Sequence, residues 1–277
     1  MCYHISFQTK LESILDYFPD LVVDPQLNAD FPVASYINGF DRKPHQVMVT
    51  SRKDGKKHLT LMMWGFIPKY IKNGAAAEKF VGGYKDENGK WNQPIITLNA
   101  IGEELFDKPM YKDAAENNRC VVFVDGIYEW QHIFPIGKKG VPLKTAVKYP
   151  YHISLKDKAV PFIMMAGIWN VWTHDEVVQE TGELKTYHTP TFSIVTTKAN
   201  PLMEKIHNSK KRMPTILTKE LALEWIEPGL SKERITEIAT FQYPAEMMEA
   251  HTIARDFQKV GNPKEKFEYA ELEGEVC

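Results

Sequence analysis

Four residues of the chain have the types that covalent carbonyl chemistry requires. Cys2 directly follows Met1. A cysteine in second position is small enough for the initiator methionine to be removed, which would leave an α-amine and a thiol on neighbouring carbons. The amine titrates at roughly 7.7–8.0 and a thiol near ~8.5, so both are partly available as nucleophiles at neutral pH. Such an aminothiol condenses with an aldehyde through nitrogen and closes a five-membered ring through sulfur. The plainer reading is that Cys2 simply opens a strand. Glu129 lies in Gly126-Ile127-Tyr128-Glu129-Trp130. Between two large aromatics its carboxylate either meets water on an exposed face or sits in a partly apolar pocket. The pocket would raise its pKa toward the range useful for proton transfer. His207 can shuttle a proton near neutrality, or be structural. It is followed by Asn208-Ser209-Lys210-Lys211-Arg212, a basic run that suits a phosphate or a solvated turn. Asn99 can orient a polar substrate atom or close a turn.

A second group of residues could bind rather than react. Trp64, Phe66, Tyr70 and Trp130 are stacking surfaces for unpaired bases, or core aromatics. Arg52, Lys53, Lys56 and Lys57 add positive charge near one turn. Cys120, inside an apolar run, reads as an inert buried thiol. The three cysteines, Cys2, Cys120 and Cys277, show neither a disulfide framework nor metal-ligand spacing, and no metal or cofactor is expected.

The elements that must position these residues are mostly strands. Residues 1–7 alternate as a short strand with Cys2 at its start, and Thr9 is placed to cap a helix through Tyr17. Residues 18–43 carry three prolines and read as irregular. Lys53-Asp54-Gly55-Lys56 predicts a hairpin between Gln46–Ser51 and His58–Met63. Residues 72–94, rich in Gly and Asn, read as a long loop. Ile95–Leu98 is a strand delivering Asn99, and helices follow around Glu103–Phe106 and Tyr111–Asn117. Cys120–Val124 and Ile127–Gln131 flank Asp125-Gly126, a second hairpin or bulge. Strands recur at Tyr151–Leu155, Pro161–Trp172, Thr191–Thr197, Thr215–Leu217 and His251–Ala254, with a polar hairpin loop over 173–190. Asn200-Pro201 opens a short helix that carries His207 at its end, and Thr218 and Ser231 cap two more. Strands and helices do not alternate strictly. The fold class is therefore α+β, a mixed and largely antiparallel β core curled into a barrel-like arrangement with flanking helices.

At 277 residues the chain can bury a substantial core, and its composition is that of a globular protein. No linker divides it, so a single domain over residues 1–277 is expected, with a solvated acidic tail from about 264 to 277. The net charge of −2 leaves any nucleic acid to a local basic surface rather than a global field. No apolar run reaches about 18 residues and no secretory pattern is present, which points away from a membrane and toward the cytoplasm. No apolar seam calls for a dimer, and a monomer is expected.

In combination these stretches resemble the SOS response-associated peptidase (SRAP) family of abasic-site processing proteins. The resemblance runs through Met1-Cys2, WGFIP at Trp64–Pro68, LNA at Leu98–Ala100 and RCVVFVDGIYEW at Arg119–Trp130. It continues through AGIW at Ala166–Trp169, TFSIVTTKAN at Thr191–Asn200, IH…RMPTIL at Ile206–Leu217 and VGNPK at Val260–Lys264. It implies an SRAP fold, a basic groove leading to Cys2, and single-stranded DNA containing abasic sites as the partner. By resemblance Cys2 joins to DNA, Asn99 positions its amine and the opened sugar, Glu129 is the acid/base, and His207 assists ring opening and imine chemistry. Glu103 matches a second glutamate of the family pattern. Trp64, Tyr70, Glu103, Trp130, Lys210, Lys211 and Arg212 make up the DNA-binding set. The implied product is a thiazolidine that shields the lesion, with a minor lyase activity and self-processing removal of Met1 (peptidase or hydrolase chemistry). Two family arginines are replaced here by His4 and Ile101, and the stretch from His207 to Arg212 is longer than usual, so Lys210 and Lys211 are expected to restore charge. Two other readings compete: an N-terminal-nucleophile amidohydrolase using the Cys2 thiol, and a non-catalytic single-stranded nucleic-acid binding module.

Overall fold

The computed structural model describes residues 2–29 and 31–272. In chain order the strands begin with β1 (His4–Phe7), β2 (Val22–Val23), β3 (Ala34–Asn38), β4 (Pro44–Thr50) and β5 (Lys57–Trp64). The short pair β6 (Tyr84–Lys85) and β7 (Trp91–Asn92) precedes β8 (Asn99–Ile101), β9 (Arg119–Val124), β10 (Gly126–Ile133) and β11 (Val147–Leu155). The long strands β12 (Ile163–Val177) and β13 (Leu184–Lys198) are followed by β14 (Arg212–Pro214), β15 (Ile216–Leu217) and β16 (Met248–Thr252). The helices are α1 (Leu11–Tyr17), α2 (Pro25–Ala29), α3 (Gly74–Gly82), α4 (Pro109–Asn117), α5 (Pro201–Ile206), α6 (Lys219–Trp225) and α7 (Lys232–Ala239).

The fold is α+β, and its β core does curl. Strands β13, β12, β9, β4 and β5 pair in that order, and β5 returns to β13 through a parallel contact, Thr191 opposite Met63 and Phe192 opposite Trp64. That contact closes a five-stranded barrel and removes its edges. A second, five-stranded antiparallel sheet runs β16-β11-β10-β1-β3. Strand β9 is buried along its whole length, and its alternate residues go to two different clusters. Val121 and Phe123 join a core with Ile14 of α1, Ala114 of α4, Trp225 of α6 and Ile235 of α7. Cys120, Val122 and Val124 join a core shared with Ile5, Ile127, Tyr149 and Ile153 of the second sheet. Cys2 belongs to this second core.

Several sequence expectations change in the fold. Asp125-Gly126 is not a hairpin: it is the corner where the chain leaves the barrel (β9) for the second sheet (β10). Asp125 has no turn partner to face. Its carboxylate instead accepts hydrogen bonds from Ser6 Oγ (2.5 Å), the Gln8 backbone (2.5 Å) and Lys264 Nζ (2.8 Å). A Cβ at Gly126 would lie 2.1 Å from His152 Nε2, so only glycine passes there. Residues 18–43 hold β2, α2 and β3, and 72–94 hold α3 and the β6–β7 pair. The Asn73 side chain caps α3 over its Ala-rich first turn. The polar hairpin expected over 173–190 is a hairpin with a much shorter loop, because the β12–β13 ladder stays paired out to Val177 and Leu184. Lys10, not Thr9, is the N-cap of α1, and the Thr9 hydroxyl donates to Pro161 O. Asn99 starts its strand rather than ending one. The acidic tail is packed as far as Leu272, with Tyr269 and Leu272 buried and Glu271 facing Arg255 at 3.4 Å. Met1, Asp30 and residues 273–277, which include Glu273, Glu275 and Cys277, lie outside the described residues. Among the described residues no helix is long and apolar enough to cross a membrane.

Candidate active site

The approach of Cys2 to Glu129 follows from strand pairing. β1 runs antiparallel to β10 with His4 opposite Tyr128, Ile5 opposite Ile127 and Ser6 opposite Gly126. That register carries residues 2 and 3 alongside Glu129 and Trp130. The Asp125 carboxylate holds it by gripping Ser6 and Gln8, and the VGNPK lysine, Lys264, neutralises the charge of that grip. Asn99 reaches Cys2 from the barrel, where β8 lies parallel to β13 with Asn99 opposite Ile194. Its Nδ2 donates to the Cys2 carbonyl at 2.8 Å. Its Oδ1 is buried and has no hydrogen-bond partner among the described residues. Trp64 supports this strand, its indole N–H donating to Leu98 O at 2.9 Å.

His207 reaches Glu129 from the end of α5. Asn200 caps α5 by accepting from Met203 N (2.9 Å), Pro201 fills the first helical position, and His207 is the C-cap. The next residue fastens the turn to β10. Asn208 Oδ1 accepts from His132 N (2.9 Å) and its Nδ2 donates to His132 O (2.8 Å), completing both bonds of a strand pair with one side chain. His207 Nδ1 lies 2.9 Å from the Arg212 carbonyl. With its proton donated there, Nε2 is left as the basic nitrogen, and it stands 3.9 Å from Glu129 Oε2.

Burial sets the proton affinities. It raises Glu129 from its ordinary 4.5 to about 7, and the Trp130 backbone N–H offsets only part of this. Burial likewise lowers His207 to about 4, so its imidazole is neutral at pH 7. The Cys2 thiol is pushed well above the usual thiol range, first by burial and then by the charge of Glu129. An open cleft of about 610 Å³ reaches Glu129 and His207 and is lined by Tyr3, His4, Glu129, Trp130, His132, Lys148, His207, Ser209 and Lys210, with Cys2 and Asn99 buried behind that lining. The arrangement offers a carboxyl poised near neutrality, a neutral base, a buried carbonyl-orienting amide and two cations at the rim.

Cys2, Asn99, Glu129 and His207 therefore converge, with Trp130 and Lys210 at the cleft. Other members of the DNA-binding set do not. Trp64 is 1% exposed and stacked on Phe192, so it is a core aromatic and not a stacking surface, and Phe66 is equally buried. Arg212 and Glu103 form a two-bond fork (3.0 and 2.7 Å), so the Arg212 guanidinium is committed to a carboxylate rather than to a phosphate. Burial pushes the Glu103 pKa up, but the hydrogen bonds and charge of Arg212, together with bonds from the Glu103 backbone N–H and from Thr197, sum to more and hold the group below the usual carboxylate range. Lys211 pairs with Glu204 at 2.6 Å, and Tyr70 is exposed outside the cleft. His4 adds no charge: burial lowers it to about 4, its Nδ1 lies 2.8 Å from Tyr36 OH, and its ring meets Trp130 edge-on. Tyr3, His132 and Lys148 are cleft residues that the sequence reading missed. Lys148 and His132 carried no local signal, since only the pairing of β10 with β11 sets them opposite each other.

Residues 1–260 match the family model described as SOS response associated peptidase (SRAP). Abasic site processing protein YoqW of Bacillus subtilis is 30% identical over 91% of this chain and 93% of its own length. Abasic site processing protein YedK of Escherichia coli is 26% identical over 79% of this chain and 77% of its own. A crystal structure of a Bacteroides thetaiotaomicron protein superposes with a TM-score of 0.72 at 27% identity, covering 96% of this chain and 100% of that one.

Proposed function

The chain belongs to the SOS response associated peptidase family, and from that premise we propose that it processes abasic sites in single-stranded DNA by a covalent link through Cys2. The observation that carries this reading is that Asn99 holds Cys2 while His207 stands beside Glu129, with Glu129 and His207 lining one cleft next to Tyr3. The sequence of events begins with removal of Met1. The freed Cys2 amine attacks the aldehyde carbon of the ring-opened deoxyribose, forming a C–N bond and a carbinolamine. Glu129, protonated about half the time near pH 7, donates a proton to the departing hydroxyl, and water leaves as the imine forms. His207 Nε2 is the base that takes the proton from nitrogen. The thiol then adds across the C=N bond, its proton passing to the nitrogen, and a thiazolidine closes. Loss of the sugar's α-proton from the imine instead expels the 3′ phosphate, a minor lyase outcome.

The raised Cys2 thiol supports an amine-first order and disfavours direct thiol attack on an amide. The unpaired Asn99 Oδ1 is suited to accept from the freed amine and aim its lone pair. We further propose that the chain works as one domain and as a monomer, since the cleft draws on residues from Tyr3 to Lys210 of a single chain. Intact-mass spectrometry with abasic single-stranded DNA tests the reading. The expected result is loss of Met1 and an adduct heavier by the oligonucleotide less one water. An amidohydrolase or a simple binding module gives no adduct, and either result would end the proposal.

A further inference from the structure

Past the last ladder pair, Ile133 opposite Val147, the chain leaves the second sheet as a small hairpin over residues 134–146. The bridge of Ile136 with Pro142 and the bonds Gly137 N to Val141 O and Leu143 N to Pro135 O (both 2.8 Å) hold it together. It turns at Gly140, whose φ of +73° favours glycine. Its apolar side chains stay outside the core: Phe134 is 51% exposed, Ile136 66%, Val141 59% and Leu143 49%. The stretch from 132 to 148 also carries Lys138, Lys139, Lys144 and Lys148 and not one carboxylate, in a chain whose net charge is −2. An apolar cluster left in water within a cationic segment marks an interaction surface for an anionic partner that has flat apolar faces.

The position of the hairpin narrows the partner. It grows from the rim of the cleft, because His132 and Lys148 both line the cleft and face each other at its base. We infer that this hairpin is a second nucleic-acid contact, running along the unpaired nucleotides that flank the lesion on one side. Phe134 offers a ring for a base, the aliphatic side chains offer faces for bases and sugars, and the lysines meet phosphates. Seven residues from 134 to 140 reach up to about 20 Å, enough to follow several nucleotides beyond the cleft. The inference rests on the proposal that the cleft receives a DNA strand.

The test uses the full chain and single-stranded oligonucleotides carrying tetrahydrofuran, an abasic analogue with no aldehyde, extended stepwise on either side. Binding is read by fluorescence anisotropy across a salt series. For the native chain, affinity should rise with added nucleotides on one side only. The triple variant Lys138→Ala/Lys139→Ala/Lys144→Ala should lose that rise and flatten the log–log salt slope by about 2. Phe134→Ala should weaken binding roughly fivefold or more. Both variants should still crosslink to true abasic DNA at the native rate once DNA is saturating. Unchanged slope and length dependence would overturn the inference. So would intact DNA binding in variants that lose self-association in sedimentation or lose binding to anionic vesicles, since the hairpin would then serve a protein or a lipid. A native chain that binds tetrahydrofuran DNA but never crosslinks to abasic DNA counts against the Cys2 chemistry alone.

Discussion

Replacing Glu129 with glutamine separates what the carboxyl costs the fold from what it does for the reaction. Glutamine keeps the volume and removes the titration. In the folded chain Glu129 ionises at about 7, against an ordinary 4.5. Below pH 4.5 the group is protonated whether the chain is folded or not, and it makes no difference to stability. As pH rises toward 7 the unfolded chain gives up this proton while the folded chain keeps it, so stability falls. Above 7 the loss is complete. A gap of about 2.5 pH units at 1.36 kcal/mol each makes that loss roughly 3 kcal/mol. Urea unfolding of the native chain and Glu129→Gln between pH 4 and 9 reads this directly. Relative to native, the variant should gain stability between pH 4.5 and 7 and hold a lead of roughly 3 kcal/mol above 8. The same variant should crosslink roughly 10²–10⁴-fold more slowly, and the pH limb of the native rate near 7 should disappear. Other buried groups titrate alike in both proteins, so they cancel in the difference. Parallel stability curves would mean that the carboxyl is not desolvated, and the acid/base role would lose its physical basis.

Three further perturbations discriminate other parts of the structure. Lys264→Met strips the cation from the Asp125 grip on Ser6 and Gln8; unfolding should show a loss of roughly 3 kcal/mol, and crosslinking should slow even where the chain is fully folded. A variant that crosslinks at the native rate would show that the grip does not set the Cys2–Glu129 register. Arg212→Ala breaks the fork with half-buried Glu103 and should lower the urea midpoint without altering the salt slope of DNA binding; a changed slope would return Arg212 to the phosphate contacts. Lys210→Ala, at the cleft, should reduce the salt slope by about 0.7, whereas Lys211→Ala should not, because Lys211 is already paired. Equal effects at both positions would contradict that division.

Signals confined to a few neighbouring residues were legible in the sequence. Asp54-Gly55 joins β4 to β5 as its turn chemistry demands, Asn200-Pro201 starts α5, and Thr218 and Ser231 cap α6 and α7. The residue types for aldehyde chemistry were legible too, since an aminothiol, a carboxyl and an imidazole have those reactivities wherever they stand. The same local signals failed where partners distant in the chain decided the outcome. Asp125-Gly126 looks like Asp54-Gly55, yet Ser6 and Lys264, 119 and 139 residues away, take its carboxylate, and the chain turns into another sheet. Trp64 and Trp130 are the same residue type in similar aromatic surroundings. Closure of the barrel buries one, while the other, on β10 just past the last β1 pair at Tyr128, is left at the cleft. Arg212 reads as part of a basic triplet until Glu103 meets it across 109 residues. The proton affinity of Glu129 belongs to no residue of its motif, because desolvation sums over everything packed around the carboxyl. Reactivity is a property of side chains, and order along the chain carries it; proximity, burial and charge pairing arise only when two sheets close on each other, as when Asn99 comes to hold Cys2 from 97 residues away.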